Sequence, residues 1–263
     1  MFLRTFADQL SNQITISFPP QRIISLVPSQ TELLADLGLE NSVVGITKFC
    51  IHPVSWLKTK TLVGGTKNLW LDVIESLQPD LIIGNKEENS QEDILKLQAK
   101  YPVWMSDIYT LQDALTMIHQ LGKVTGTVEK SVYIQSEIRD AFSSISKLPP
   151  LRTLYLIWQK PWMGAATDTF IHELMTIAGL KNCLSEQKRY PELSEQDMAG
   201  LNPELILLSS EPYPFQEKHA MKLRQAFPTA IVLLVDGEMF SWYGSRVSRF
   251  PGYVKLLSNL IGA

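Results

Sequence analysis

The chain has 263 residues, 45% of them apolar, with 24 basic against 27 acidic side chains and a net charge of −3. That balance excludes the basic surplus of a nucleic-acid-binding protein. Apolar runs such as Leu205-Ile-Leu-Leu208 fall far short of the ~20 residues of a membrane-spanning helix, so membrane insertion is not expected. The length suits one large domain or two modest ones. Met1-Phe-Leu-Arg-Thr-Phe-Ala-Asp8 has no basic region leading into a long apolar stretch, so a secretory signal is not expected here and a cytoplasmic location stays open. Cys50 and Cys183 fall one in each half, and a disulfide between them is not expected.

In chain order, residues 14–18 alternate apolar and polar as a half-buried strand does, and Pro19-Pro20 ends them. Ile23-Ile-Ser-Leu26 reads as a buried strand. A helix follows from Pro28, with Ser29 as N-cap, Glu32 completing a capping box, and Gly38 at its C-terminal end. Residues 43–46, 81–83 and 103–105 read as further strands. Residues 72–77, 91–99 and 111–121 read as helices. Residues 123–148 keep helical spacing through Val128, Val132, Ile138, Phe142 and Ile145 until Pro149-Pro150, which predicts one long helix. Beyond it the alternation resumes. Strands are expected at 153–158, 205–208 and 231–235, helices at 169–178 and 253–260, and a loop at 190–194 leading into a helix at Glu195. Strand and helix in alternation argue for a parallel α/β sheet.

The two halves echo each other. Glu32-Leu-Leu-Ala-Asp-Leu-Gly-Leu-Glu-Asn41 is answered by Glu173-Leu-Met-Thr-Ile-Ala-Gly-Leu-Lys-Asn182. Leu77-Gln-Pro-Asp-Leu-Ile-Ile83 is answered by Leu201-Asn-Pro-Glu-Leu-Ile-Leu207. Two copies of one supersecondary unit predict two lobes with a cleft, where small ligands bind. In parallel sheets the ligand lies beyond the carboxyl ends of the strands. Those ends carry Pro28, Ser29 and Gln30; Lys48, Phe49, Cys50 and His52; and Asn85 to Asn89. In the second half they carry Gln159 to Met163; Glu211, Tyr213 and Phe215; and Trp242, Tyr243, Ser245 and Arg246.

Four of the six tryptophans, Trp70, Trp158, Trp162 and Trp242, lie in or beside such segments. Tryptophan is mostly core filler. The polar neighbours of Trp162 and Trp242 favour ligand walls instead, while Trp158 fits either role. Cys50-x-His52 is too small a set for a structural zinc site. The plainer reading is a packed cysteine and a surface histidine; the narrower one makes His52 an axial ligand to a chelated metal. The turn at Lys86 to Asn89 is either simply solvated or a ligand contact. Arg246 suits a ligand carboxylate or amide, or a carboxylate of the facing lobe. No phosphate-binding loop, nucleophile elbow or zinc-protease motif is present.

Certain of these residues carry a family resemblance. Asp8-Gln-Leu-Ser-Asn-Gln-Ile-Thr-Ile16, followed by Pro20-Gln-Arg-Ile-Ile-Ser-Leu-Val-Pro-Ser-Gln-Thr-Glu32, resembles the start of mature substrate-binding proteins of iron-chelate and cobalamin ABC importers. The paired Leu77 and Leu201 motifs are similar to that family's strand beginnings. Trp158-Gln-Lys-Pro-Trp-Met163 with Asp168-Thr-Phe-Ile171, and Phe240-Ser-Trp-Tyr-Gly-Ser-Arg246, are similar to its cobalamin-binding subgroup. The resemblance implies an α/β fold of two lobes with parallel central sheets joined by a single long backbone helix. The divisions are then an N-terminal lobe at 1–122, the helix at 123–148 and a C-terminal lobe at 149–263.

By matching position, Pro28, Ser29, Gln30, Thr66, Asn85, Trp158, Trp242 and Arg246 would line the cleft, with Lys86, Trp162, Glu211 and Tyr243 beside them. Asp72 fits the acid that such proteins present to a permease. In the second lobe Gln196 stands where the acid is expected, flanked by Glu195 and Asp197. The resemblance implies a periplasmic monomer that binds cobalamin, another corrinoid, a ferric siderophore or haem without chemistry, and that uses no cofactor of its own. The alternative is a cytoplasmic enzyme or metallochaperone on the same fold, working through Cys50, His52 and the Lys86 turn.

Overall fold

A computed structural model describes residues 2–262, which divide into two compact units. Unit 1 gathers the chain up to Ile108 with Gln112–Arg139 and Tyr243–Arg246; unit 2 holds Tyr109–Leu111, Asp140–Trp242 and the chain from Val247 on.

Unit 1 begins with a hairpin of β1 (Phe2–Ala7) and β2 (Gln13–Phe18), paired antiparallel. The guanidinium of Arg4 lies over the rings of Phe2 and Phe18, 4.8 and 4.2 Å from their centroids. Only β2 was expected from sequence, because β1 has an exposed residue at nearly every position and so lacks the half-buried alternation. Next come β3 (Ile23–Ser25), α1 (Pro28–Asp36), β4 (Val43–Ile46), α2 (Trp56–Thr59), β5 (Thr61–Leu62), α3 (Leu71–Ser76), β6 (Leu81–Asn85), α4 (Gln91–Gln98) and β7 (Val103–Ser106). The sheet order is β5-β4-β3-β6-β7, parallel throughout. Ile24, Ile82, Val103 and Met105 from the strands meet Ile74, Ile94 and Leu97 from α3 and α4 in one core.

Helix α5 (Leu111–Thr125) ends at Gly126, whose φ of 78° is open to glycine at little cost. Helix α6 (Val128–Ser143) follows, and the chain passes from unit 1 to unit 2 inside it. One helix therefore links the halves, but it covers 128–143 rather than the expected 123–148. The helical periodicity before Gly126 belongs to the end of α5.

Unit 2 contains β8 (Arg152–Trp158), β9 (Trp162–Gly164), α7 (Phe170–Ile177), β10 (Lys181–Asn182), β11 (Glu192–Leu193), α8 (Glu195–Gly200), β12 (Leu205–Ser209), α9 (Glu217–Ala226), β13 (Ile231–Val235), α10 (Gly237–Ser241) and α11 (Phe250–Ile261). Strands β8, β12 and β13 are parallel as expected, and β10 adds a parallel pair to β8. The sheet as a whole is mixed, because β9 turns back antiparallel on β8 and β11 pairs antiparallel with β9. The reversal runs through Lys160, at φ 67°. Three residues are too few to show strand alternation, so β9 reads as a loop in sequence.

The repeated motifs are repeated structures. Leu71–Ser76 and Glu195–Gly200 are both six-residue helices, related by a constant shift of 124, and each leads into a buried strand. Gln78 and Asn202, one shift apart, have φ of 44° and 45°. Asp80 accepts from the backbone N–H groups of Gln21 and Arg22, while the Arg22 side chain donates to the Leu77 carbonyl at 2.6–2.8 Å. In unit 2, Glu204 accepts from the Arg152 N–H, and the Arg152 side chain donates to the Asn202 carbonyl at 2.9–3.0 Å. The helix ends match as well. Gly38 and Gly179, at φ 78° and 94°, close α1 and α7 with the same two backbone bonds, Gly38 N to Ala35 O and Leu39 N to Leu34 O against Gly179 N to Thr176 O and Leu180 N to Met175 O.

One cap differs from expectation. Val27, not Ser29, is the N-cap of α1, and no side chain bonds there. Proline at the first helical position favours this start, and it frees Ser29 and Glu32 for other partners. Both cysteines are free thiols.

Candidate functional site

In unit 1 the carboxyl ends of β3, β6 and β7 converge on Ser106. Its Oγ accepts from Gln30 Nε2 at 2.5 Å and from Asn85 Nδ2 at 2.9 Å, and donates to the Gly84 carbonyl at 3.2 Å. Asn85 Oδ1 accepts from the N–H groups of Glu87 and Glu88 at 2.8 and 3.0 Å, shaping the turn after β6. Asn89 Oδ1 accepts from Asn85 N, and its amide donates to the Thr66 carbonyl at 3.1 Å. Tyr243, fully enclosed beside this cluster, has its phenol held well above the ordinary value by burial. Only glycine fits at 244, since a Cβ there would stand 2.4 Å from the Ser29 carbonyl oxygen.

Gln30 and Asn85 are fully buried here, so they build the floor of the strand-end surface rather than its lining. Pro28 and Thr66 are half-buried and Lys86 is exposed, its Nζ 2.7 Å from Asp107. Arg246 departs from the ligand-facing role expected of it. Its guanidinium makes two bonds to Glu32, at 2.7 and 2.8 Å, and both side chains are nearly buried. His52 is half-buried in the loop after β4, and no group of three or more His, Cys, Asp or Glu is arranged to hold a metal among the described residues.

In unit 2 the end of β8 presents Trp158, 39% exposed, with its ring edge-on to Tyr213 at 5.5 Å. Tyr213 packs against Phe215 and donates to Gln159 at 3.1 Å. His219 fixes this platform from α9. Its Nδ1 accepts from Gln216 N at 2.8 Å, and its Nε2 lies 3.3 Å from the Tyr213 hydroxyl. Trp162, expected as a wall, instead joins the core of unit 2, stacked on Phe215. The hairpin that sequence reading missed turns it inward. Trp242 is also buried, and its indole N–H donates to Glu211 Oε1 at 2.9 Å, where Ser241 Oγ donates at 2.7 Å. Ser209, beneath Glu211, bonds to the Glu211 backbone and to the Tyr155 hydroxyl.

Burial pushes the Glu211 carboxyl above its ordinary value, against the two donors, with Glu238 and Asp236 acting in the same direction as burial. The folded state thus holds this proton more tightly than the unfolded chain does. Stabilisation from it is complete below the unfolded value and fades as pH rises through the folded one. Replacing Glu211 by Gln removes that titration. In urea unfolding measured from pH 4 to 8, the wild-type-minus-variant stability difference is expected to fall as pH rises.

The structure brings Gln30, Asn85 and Asn89 into one network in unit 1, and Glu211 with Trp242 in unit 2. Ser106 and Ser241 were not singled out in the sequence, and Glu32 was read as a capping residue rather than as the partner of Arg246. Ser106 had a signal, as the polar residue closing an apolar strand.

Comparison with known proteins decides the family. The model for the periplasmic binding protein family matches residues 23–226, spanning both repeated halves. The chain belongs to that family. Among members of the periplasmic binding protein family, an uncharacterized ABC transporter substrate-binding lipoprotein of Bacillus subtilis is 25% identical over 76% of this chain and 67% of its own length. A vitamin B12-binding protein of Vibrio campbellii is 27% identical over 77% and 73%. The solved periplasmic vitamin B12-binding protein BtuF of Vibrio cholerae has a TM-score of 0.80 at 22% identity, covering 93% of this chain and 98% of that one. The periplasmic haem-binding protein HutB of the same species has a TM-score of 0.74 at 22% identity, covering 92% and 98%. This is the two-lobed α/β fold of periplasmic binding proteins. No helix among the described residues is long and apolar enough to cross a membrane.

Proposed function

We propose that the protein captures a metal chelate of the corrinoid or porphyrin type on its strand-end loops and presents it to an ABC permease outside the cytoplasm, without chemistry on the chelate. The observation that carries this reading is the family match across both halves, and the exposed Trp158 at the end of β8, backed by Tyr213 and Phe215, supports it. A flat macrocycle gains from such a surface through apolar burial and ring stacking. Pro28, Ser29, Thr66 and Lys86 of unit 1 supply polar and backbone contacts from the corresponding strand ends.

Docking to a permease falls to exposed acids on the equivalent helices. Asp72 stands in the first turn of α3. On α8, Asp197 uses its carboxylate in the capping box with Ser194, and Glu195 reaches Lys222 at 3.2 Å, so Glu195 is the more adaptable of the two. His52 serves as axial ligand if the chelate's metal has an open position.

The test is titration with cyanocobalamin and hemin followed by intrinsic tryptophan fluorescence. Binding of at least one is expected, and Trp158→Ala is expected to weaken it about tenfold, the worth of an aromatic contact of ~1.5 kcal/mol. An unchanged affinity in Trp158→Ala would remove the platform role.

A further inference from the structure

Among the strand-end cations, Arg246 is engaged with Glu32 at 2.7 Å and Lys86 with Asp107 at 2.7 Å, while Lys48 and Lys160 are exposed. The turn at Lys86 carries Glu87 and Glu88, both half-buried. In unit 2 the corresponding turn after β12 carries Glu211, half-buried, with both of its donors on Oε1; Oε2 makes no hydrogen bond among the described residues. The neighbouring α10 adds Asp236 as N-cap and Glu238 in its first turn. Chelates of similar ring size differ most at the rim. Porphyrins carry ionised propionates, and many ferric siderophores are anionic. Amidated corrinoids carry neutral carboxamides, whose N–H groups donate to a carboxylate. A carboxylate facing a ligand carboxylate is repelled and left desolvated without a partner, whereas one facing an amide gains a charge-assisted bond.

We infer that Glu211 sets the ligand preference, accepting a carboxamide N–H through Oε2 and rejecting rims that carry carboxylates. The inference rests on the chelate-binding reading above and adds the chemical class of the rim. Glu211 is held for this role, since Ser241 and Trp242 fix Oε1, and Gly237 is needed beside it because a Cβ there would stand 2.6 Å from Glu211 Cγ.

The experiment compares one corrin ring with two rims. Dicyanocobinamide, with its amides, and dicyanocobyrinic acid, with carboxylates in their place, are titrated at pH 8 into wild-type protein and into Glu211→Gln, with hemin as a third probe. The amide form is expected to bind wild type at least a hundredfold more tightly than the carboxylate form. Glu211→Gln is expected to narrow that gap about tenfold, the scale of one hydrogen bond to a charged group, while hemin binding improves. Glutamine keeps the shape and the acceptor for Ser241 and Trp242, and a native circular-dichroism spectrum verifies the fold. Equal binding of the two rims, or a gap unchanged in Glu211→Gln, overturns the inference and leaves chelate binding standing. Failure of all three probes overturns both.

Discussion

Arg246→Met destabilises the protein by about 3–5 kcal/mol, because it leaves the Glu32 carboxylate buried without its partner. The wild-type pair is bidentate, at 2.7 and 2.8 Å, with side chains only 7% and 11% exposed. Removing both charges together is a different matter. The double variant Glu32→Leu/Arg246→Met avoids the unpaired charge and is expected to lie within about 1–2 kcal/mol of wild type, since a buried pair contributes little net stability against an apolar replacement. Denaturant unfolding of Arg246→Met, Glu32→Leu and the double variant gives the coupling energy. Equal losses in Arg246→Met and the double variant would contradict an unpaired buried charge as the cause of the loss. Arg246→Met also removes the tie between the Tyr243–Arg246 segment and α1.

Phe240→Ala costs a similar amount, about 3–5 kcal/mol, through a cavity. Phe240 is fully buried on α10 and touches three rings: Tyr155 at 5.0 Å, Phe250 at 5.3 Å and Tyr253 at 6.1 Å. These join α10, β8 and α11 beneath the loop that holds Trp242. The loss therefore reaches Trp242, and its emission is expected to shift to the red as its indole meets water. Thermal unfolding followed by tryptophan fluorescence reads both effects. Phe240→Leu, which keeps most of the volume, is expected to lose less than half as much.

The core of the fold was legible because its signals are local. Short apolar strands ending at Gly84 or Val235, helices closed by Gly38 and Gly179, and the paired Pro-Asp and Pro-Glu corners each follow from a few adjacent residues. The repeat added the larger conclusion of two units. Elements of two or three residues, such as β9, β10 and β11, are too short for any periodicity to appear. Gly126 was visible, yet the helical spacing on both sides of it suggested one continuous rod.

Site residues divided on a different line. Positions beyond strand ends were identifiable from topology, and Ser29, Asn85, Glu211 and Tyr243 do stand at or next to them. Whether such a side chain faces outward depends on pairings across the chain that sequence spacing does not encode. Arg246 meets Glu32 across 214 positions, and Trp162 turns inward because of a hairpin set by the Lys160 backbone. Trp158 fitted either role from sequence, and it is the aromatic left exposed.

The central claim is capture of an intact chelate, and equilibrium dialysis of the purified protein tests it most directly. Cyanocobalamin, hemin and a ferric siderophore are each equilibrated with the protein, then released by denaturation and examined by visible spectroscopy and mass. The account predicts one chelate retained per chain, recovered with unchanged mass and metal. Retention of none of the three, or recovery of a chemically altered product, would contradict it.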